Sequence, residues 1–154
     1  MSIFPTKILV ATDGSREAIL AAQSAAQIAS ETHSELHIIY VRPSSVPLHP
    51  GHFLGPEVAE HRLQREQELL ERKAQRILDV QVEEIEAAGG TVAQTHVGVG
   101  KPADEIVALG EELGAGLIVV GSRGRGGLRR ALIGSVSDSV VRHAHCPVLV
   151  VRKE

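Results

Sequence analysis

At 154 residues the chain has one domain's worth of sequence and enough length to bury its own core. Hydrophobic residues make up 43% and charged residues 23%, but aromatics only 2%, so the core must come from Val, Ile, Leu and Ala, and the stacking platforms of single-strand nucleic-acid binders are missing. A net charge of -3 gives no global attraction to DNA or anionic lipid, so any anion site must be local.

The N-terminus lacks a basic segment followed by an apolar run and a small-residue cleavage site, and no apolar run approaches the ~20 residues of a membrane helix. Cys146 is the only cysteine, which rules out an intramolecular disulfide and fits a reducing compartment. A cytoplasmic protein without nucleic-acid or membrane partners, a single domain over residues 1–154, is the expectation.

In chain order, Lys7-Ile8-Leu9-Val10-Ala11-Thr12 is short, apolar on both faces and closed by Asp13-Gly14-Ser15, as a buried parallel strand would be. Ser15 is a cap for the next helix, whose Ala18, Ile19, Ala22, Ala25, Ala26 and Ala29 make a small-residue face that can lie close on a sheet. A second strand follows over residues 35–41. Pro43, Pro47, Pro50 and Pro56 then mark a loop, since proline removes donors and disfavours helix before it. A long helix is predicted over about residues 57–88, with Leu63, Leu70, Ala74, Ile77, Leu78 and Ile85 at near-helical spacing and Gly89-Gly90 at its end. Its length exceeds what one sheet needs, so its early turns are expected to project.

The third strand is placed at residues 91–97, followed by a turn over 98–102 and a helix opened by Pro102. Gly116-Leu117-Ile118-Val119-Val120-Gly121 is the strongest buried-strand signal in the chain. A short helix starts near Ser135, and residues 147–152 form the last strand. This strict alternation of strand and helix implies a three-layer α/β/α sandwich around a five-stranded parallel sheet, Rossmann-like and wound right-handed. Ligands in such folds bind beyond the carboxyl ends of the strands, where the winding reverses.

One segment at such an end carries the clearest chemistry. Gly121, Gly124, Gly126, Gly127 and Gly134 cluster where backbone N–H groups could surround an anion. From residue 113 to 137 there is no Asp or Glu, yet Arg123, Arg125, Arg129 and Arg130 are present. The helix starting at Gly134-Ser135-Val136-Ser137 adds its unpaired N–H groups and positive dipole end. Residues 121–137 therefore read as a phosphate site.

The spacing Gly121-x2-Gly124-x9-Gly134-Ser135 resembles the nucleotide-binding signature of the universal stress protein family, in its ATP-type branch. The opening Lys7 to Ser15 block, the Val120-Gly121-Ser122-Arg123-Gly124 approach and the closing Cys146-Pro147-Val148-Leu149-Val150-Val151 agree in order and length. The resemblance covers essentially the whole chain. It implies an adenine-nucleotide alpha-hydrolase-like topology and a bound ATP, or AMP, ADP or cyclic AMP. Ala11, Thr12, Asp13 and Ser15 would border that ligand, with Asp13 also near a Mg2+ or Mn2+ ion. The Val41 backbone would face adenine, and Gly121, Ser122, Arg123, Gly124, Gly134, Ser135, Val136 and Ser137 would hold phosphates and ribose. It also implies a homodimer through the last strand, between Val148 and Arg152.

Other motifs are weaker. Gly98-x-Gly100-x-x-Ala103 matches a dinucleotide fingerprint literally, but Pro102 falls inside it and no acid follows about 20 residues on. His143 and His145 are two apart and share no helix face, while His49 and His52 sit in the proline-rich loop. Cys146 reads as a small buried hydrophobe. The leading expectation is a dimeric nucleotide sensor in the stress response. A slow ATP hydrolase and a nucleotide-free dimeric adaptor are the alternatives; nothing evident positions an attacking water.

Overall fold

The computed structural model describes residues 2–44, 55–123 and 133–153. Along them run β1 (Lys7–Ala11), α1 (Arg16–Thr32), β2 (Glu35–Arg42), α2 (Pro56–Ala87), β3 (Gln94–Val99), α3 (Pro102–Leu113), β4 (Leu117–Gly121), α4 (Ser135–His143) and β5 (Val148–Val151). The five strands form one sheet in the order β3-β2-β1-β4-β5, and every pairing is parallel. Starting from β1, the chain adds β2 and β3 on one side and then returns to add β4 and β5 on the other. The winding thus reverses between β1 and β4.

Alternation along the strands divides the core into two. Ile8 and Val10 of β1, Leu36 and Ile38 of β2, and Leu117 and Val119 of β4 meet α1 and α2. Leu9, Ile39, Ile118 and Val120 point the other way, onto Ile106 of α3 and Val140 of α4. A strand buried on both faces needs a continuous apolar run, which Ile8 to Ala11 of β1 and Leu117 to Val120 of β4 supply. On α1, Ala21, Ala22 and Ala25 are fully buried, so the buried face of this helix is made of small side chains, with the partly buried Ile28 packed beside them.

Ser15 caps α1 as its sequence position implies: its backbone is extended and its hydroxyl accepts the Ala18 N–H at 3.2 Å. Ser15→Ala is expected to lower stability by about 1 kcal/mol through the lost cap, seen as a reduced urea midpoint with an unchanged slope.

The limits of β3 differ from the sequence expectation. β3 starts at Gln94, because pairing with β2 runs from His37↔Gln94 to Arg42↔Val99. Gly98, expected in a turn, therefore lies inside the strand. A Cβ there would stand 3.2 Å from both Glu105 Cβ and Val41 Cγ2, so glycine lets α3 approach the sheet edge. That packing role accounts for the false dinucleotide match. In α2, Leu63 and Leu70 keep helical spacing but bury nothing fully; no residue from 56 to 73 is buried, and the packed face begins at Ala74. The sheet is shorter than the helix, which spans about 48 Å at 1.5 Å per residue. In α4, Gly134 is the N-cap without a side-chain cap bond and Ser135 is the first residue.

Candidate functional site

β1 and β4 are hydrogen-bonded neighbours, with Val10 opposite Val119, so their carboxyl ends lie side by side at the winding reversal. The turn leaving β1 is held by side-chain bonds. Thr12 N–H donates to Ile39 O at 2.9 Å, tying the turn to β2. Asp13 Oδ1 accepts the Ser15 N–H at 2.9 Å, and Thr12 Oγ1 accepts the Gly14 N–H at 3.3 Å. Gly14 takes a φ of 80°, which side chains rarely adopt.

The segment leaving β4 closes onto α4. Ser122 N–H donates to Val151 O at 2.8 Å, while Ser122 O accepts the Gly134 N–H. The same carbonyl accepts the Ser137 hydroxyl at 3.1 Å, and that hydroxyl also bonds Gly134 O at 3.1 Å. The start of α4 is thereby pinned to the end of β4, with its first-turn N–H groups at this edge of the sheet. The Ser137 hydroxyl is turned inward, leaving its backbone N–H as the group it can offer an anion, whereas Ser135 is exposed. Gly121 joins the two segments: a Cβ on it would stand 3.0 Å from the backbone C and O of Glu17 in the first turn of α1.

Among the expected site residues, the structure brings Ala11, Thr12, Asp13 and Ser15 to the end of β1, Val41 to the end of the adjoining β2, and Gly121, Ser122 and Arg123 to the end of β4. Gly134, Ser135, Val136 and Ser137 open α4. Gly124, Gly126, Gly127, Arg125, Arg129 and Arg130 lie outside the described residues, as do His49 and His52. A separate open groove of about 550 Å³ between α2 and β3, lined by Asp79, Val82, Glu83 and Thr95 among others, shares no residue with these ends.

Sequence reasoning missed three polar groups beneath the surface. Gln81 of α2 is 2% exposed and accepts the Thr12 hydroxyl at 3.1 Å. Its place in the stripe Ala74, Leu78, Gln81, Ile85 was the available signal, since a polar residue there must face the sheet. Arg42 at the end of β2 is also buried; it donates to Pro43 O at 3.2 Å and pairs with the exposed Glu71 at 3.4 Å, while its Nε has no partner among the described residues.

The third is a chain of groups across β2 and β3. His37 Nδ1 and His96 Nε2 are 3.0 Å apart, and His37 Nε2 lies 3.2 Å from Glu35 Oε2. The short nitrogen–nitrogen contact needs one donor and one acceptor, so it cannot persist with both rings protonated. Burial, and then the neighbouring His37, hold the His96 pKa below its ordinary value, with Glu112 of α3 acting the other way. A base whose folded pKa is depressed contributes stability above its unfolded pKa, and that contribution is lost as pH falls through the folded one. Stability is therefore expected to drop as pH falls through and below the ordinary histidine pKa of about 6.5. Urea midpoints across that window should fall less steeply in His96→Gln; an identical slope would remove His96 from the account.

Cys146 is half-buried against the α3 and α4 core, and burial pushes its thiol pKa up, with a backbone bond to Ile118 acting the other way. That is the environment of a structural cysteine rather than a nucleophile. His143 Nδ1 lies 2.8 Å from Ser139 O within α4. Among the described residues no three His, Cys, Asp or Glu side chains gather as a metal site, and no helix is long and apolar enough to cross a membrane.

A parallel sheet with reversed winding, and with a helix start pinned at the reversal, defines a doubly wound α/β protein, a class that binds ligands beyond the carboxyl ends of its strands. Within that class the sequence profile of the universal stress protein family matches residues 5–152, and the chain belongs to this family. It is 41% identical over 147 residues to a universal stress protein of Methanocaldococcus jannaschii, covering 96% of this chain and 82% of that one. Among solved structures it is similar to the universal stress protein UspA from Lactobacillus plantarum, with a TM-score of 0.80, 25% identity, and 97% and 99% of the two chains covered. A universal stress protein solved in complex with cAMP is 29% identical, with a TM-score of 0.64 and 95% of each chain covered.

Proposed function

We propose that the chain binds an adenine nucleotide across the carboxyl ends of β1, β2 and β4, and that it works as a dimeric nucleotide-responsive regulator in the stress response. The observation that carries this reading is the pinning of the α4 N-terminus to Ser122 beside the Asp13-Gly14-Ser15 turn. Free N–H groups, a positive dipole end and a segment without acids meet there, as a phosphate requires. The family relative in complex with cAMP supports the adenine half. In this reading the Val41 backbone faces the base, and Gly121, Ser122, Arg123, Gly124, Gly134, Ser135, Val136 and Ser137 face the phosphates and ribose. Ala11, Thr12, Asp13 and Ser15 border the ligand from β1.

Asp13 is one carboxylate with no cluster of further ligands among the described residues. That suits a Mg2+ or Mn2+ ion arriving with the phosphates, not a cage built by protein alone. The ion would neutralise phosphate charge next to Asp13. Dimerisation falls to β5, an edge strand with Leu149 36% exposed, since an apolar edge needs cover.

Calorimetry with ATP, ADP, AMP and cyclic AMP, each with and without Mg2+, tests the reading. Saturable binding of at least one is expected. Absence of heat and of any thermal shift with all four would overturn it, and a monomer in sedimentation would remove the dimer.

A further inference from the structure

Gln81 faces the sheet from α2, and its Oε1 accepts the hydroxyl of Thr12, 69 residues away in the sequence, at 3.1 Å. Thr12 is itself 5% exposed, and its Oγ1 accepts the Gly14 N–H at 3.3 Å. A hydroxyl has one proton. With that proton directed at Gln81, the lone pairs of Thr12 are left for Gly14. Asp13 sits between the two residues fixed in this way.

The other end of the Gln81 amide points to a role beyond packing. Its Nε2 is buried and has no hydrogen-bond partner among the described residues. A buried donor without an acceptor destabilises a fold, and methionine or leucine would fill the same stripe position without that defect. Residues that break a local rule of stability concentrate where function needs them.

We propose that Gln81 is a positioning residue for the nucleotide site, acting through the Thr12 hydroxyl to hold the Thr12–Gly14 turn and hence the direction of Asp13. The inference rests on nucleotide binding at this edge. It makes α2 part of the ligand site although no α2 residue is placed against the ligand.

The test measures ATP binding with Mg2+ by calorimetry, together with urea unfolding and Gly14 amide exchange, for the parent, Gln81→Met, Thr12→Val and the double variant. Gln81→Met is expected to weaken ATP binding about three- to tenfold, since coupled neighbours show effects of that order. It should also speed Gly14 exchange, while the urea midpoint changes little, because loss of the unpaired Nε2 donor offsets the Thr12 hydroxyl left without its acceptor. The double variant should bind no more weakly than Thr12→Val alone, because both changes remove the same bond. Thr12→Ser, which keeps the hydroxyl, should restore affinity relative to Thr12→Val.

If the parent does not bind, the nucleotide reading falls and this one with it. If the parent binds and Gln81→Met binds equally well, or the two losses multiply, only the Gln81 proposal falls. Gln81→Leu stands in if Gln81→Met loses its cooperative transition. Failure of both to fold overturns the proposal, since Gln81 would then serve the fold itself.

Discussion

Gly121→Val is expected to lower stability by about 1–3 kcal/mol through overpacking, and to weaken nucleotide binding by about tenfold or more, a change of about 1.4 kcal/mol. The two effects share one cause. A Cβ at this position would stand 3.0 Å from the backbone C, the backbone O and the Cβ of Glu17. Two of those atoms are backbone, so no flexible side-chain end can swing aside. The start of α1 must move, and Ser15, Gly14 and Asp13 move with it. Urea unfolding and ATP calorimetry on the same preparation measure both. A variant that loses stability yet binds as the parent does would place the start of α1 outside the ligand site.

Ile118→Ala makes the opposite pattern. It is expected to cost about 2–5 kcal/mol, as large-to-alanine changes in a packed core do, out of about 5–15 kcal/mol in a typical domain. Ile118 is fully buried on the α3 and α4 face of β4. Its Cδ1 would be 2.9 Å from a Cβ at Gly110, so the isoleucine fills the space that the glycine leaves in α3. Truncation opens a void with glycine on its far side, which has no side chain of its own to collapse inward. The side chain does not reach the ligand edge, so ATP affinity of the folded fraction should be unchanged. The urea midpoint should fall sharply with the slope kept. An affinity loss matching that of Gly121→Val would mean that core packing and site geometry cannot be separated.

What could be read in the sequence follows from what is local. The buried runs of β1 and β4, the Ser15 cap and the Gly89-Gly90 stop are each specified by adjacent residues, and the structure has them. The parallel sheet followed from alternation alone. The limits of β3 did not, because its pairing is set by β2 and its own sequence has only scattered apolar residues. The apolar spacing of α2 marked a helix but could not mark where the sheet beneath it ends. In the candidate site, the glycines and the absence of acids were legible, and so was the helix start. The inward turn of the Ser137 hydroxyl was not, nor was the bond from Thr12 to Gln81, since both depend on partners brought together by the fold. The His37 and His96 contact was hidden for the same reason.

The central place of β1 also governs the order of assembly. It precedes the other four strands of the sheet in the chain, yet its second neighbour is β4, with Ile8 set against Leu117 and the Gly116 N–H bonded to Lys7 O. Until residue 117 has emerged, the nascent chain can add only β2 and β3, on one side. The other margin of Ile8-Leu9-Val10 stays bare, an apolar template for pairing with any other unfinished chain. Pairings across such sequence distances also slow folding, since a long loop must close first. Truncations ahead of β4 should therefore yield sticky fragments, not smaller folded units.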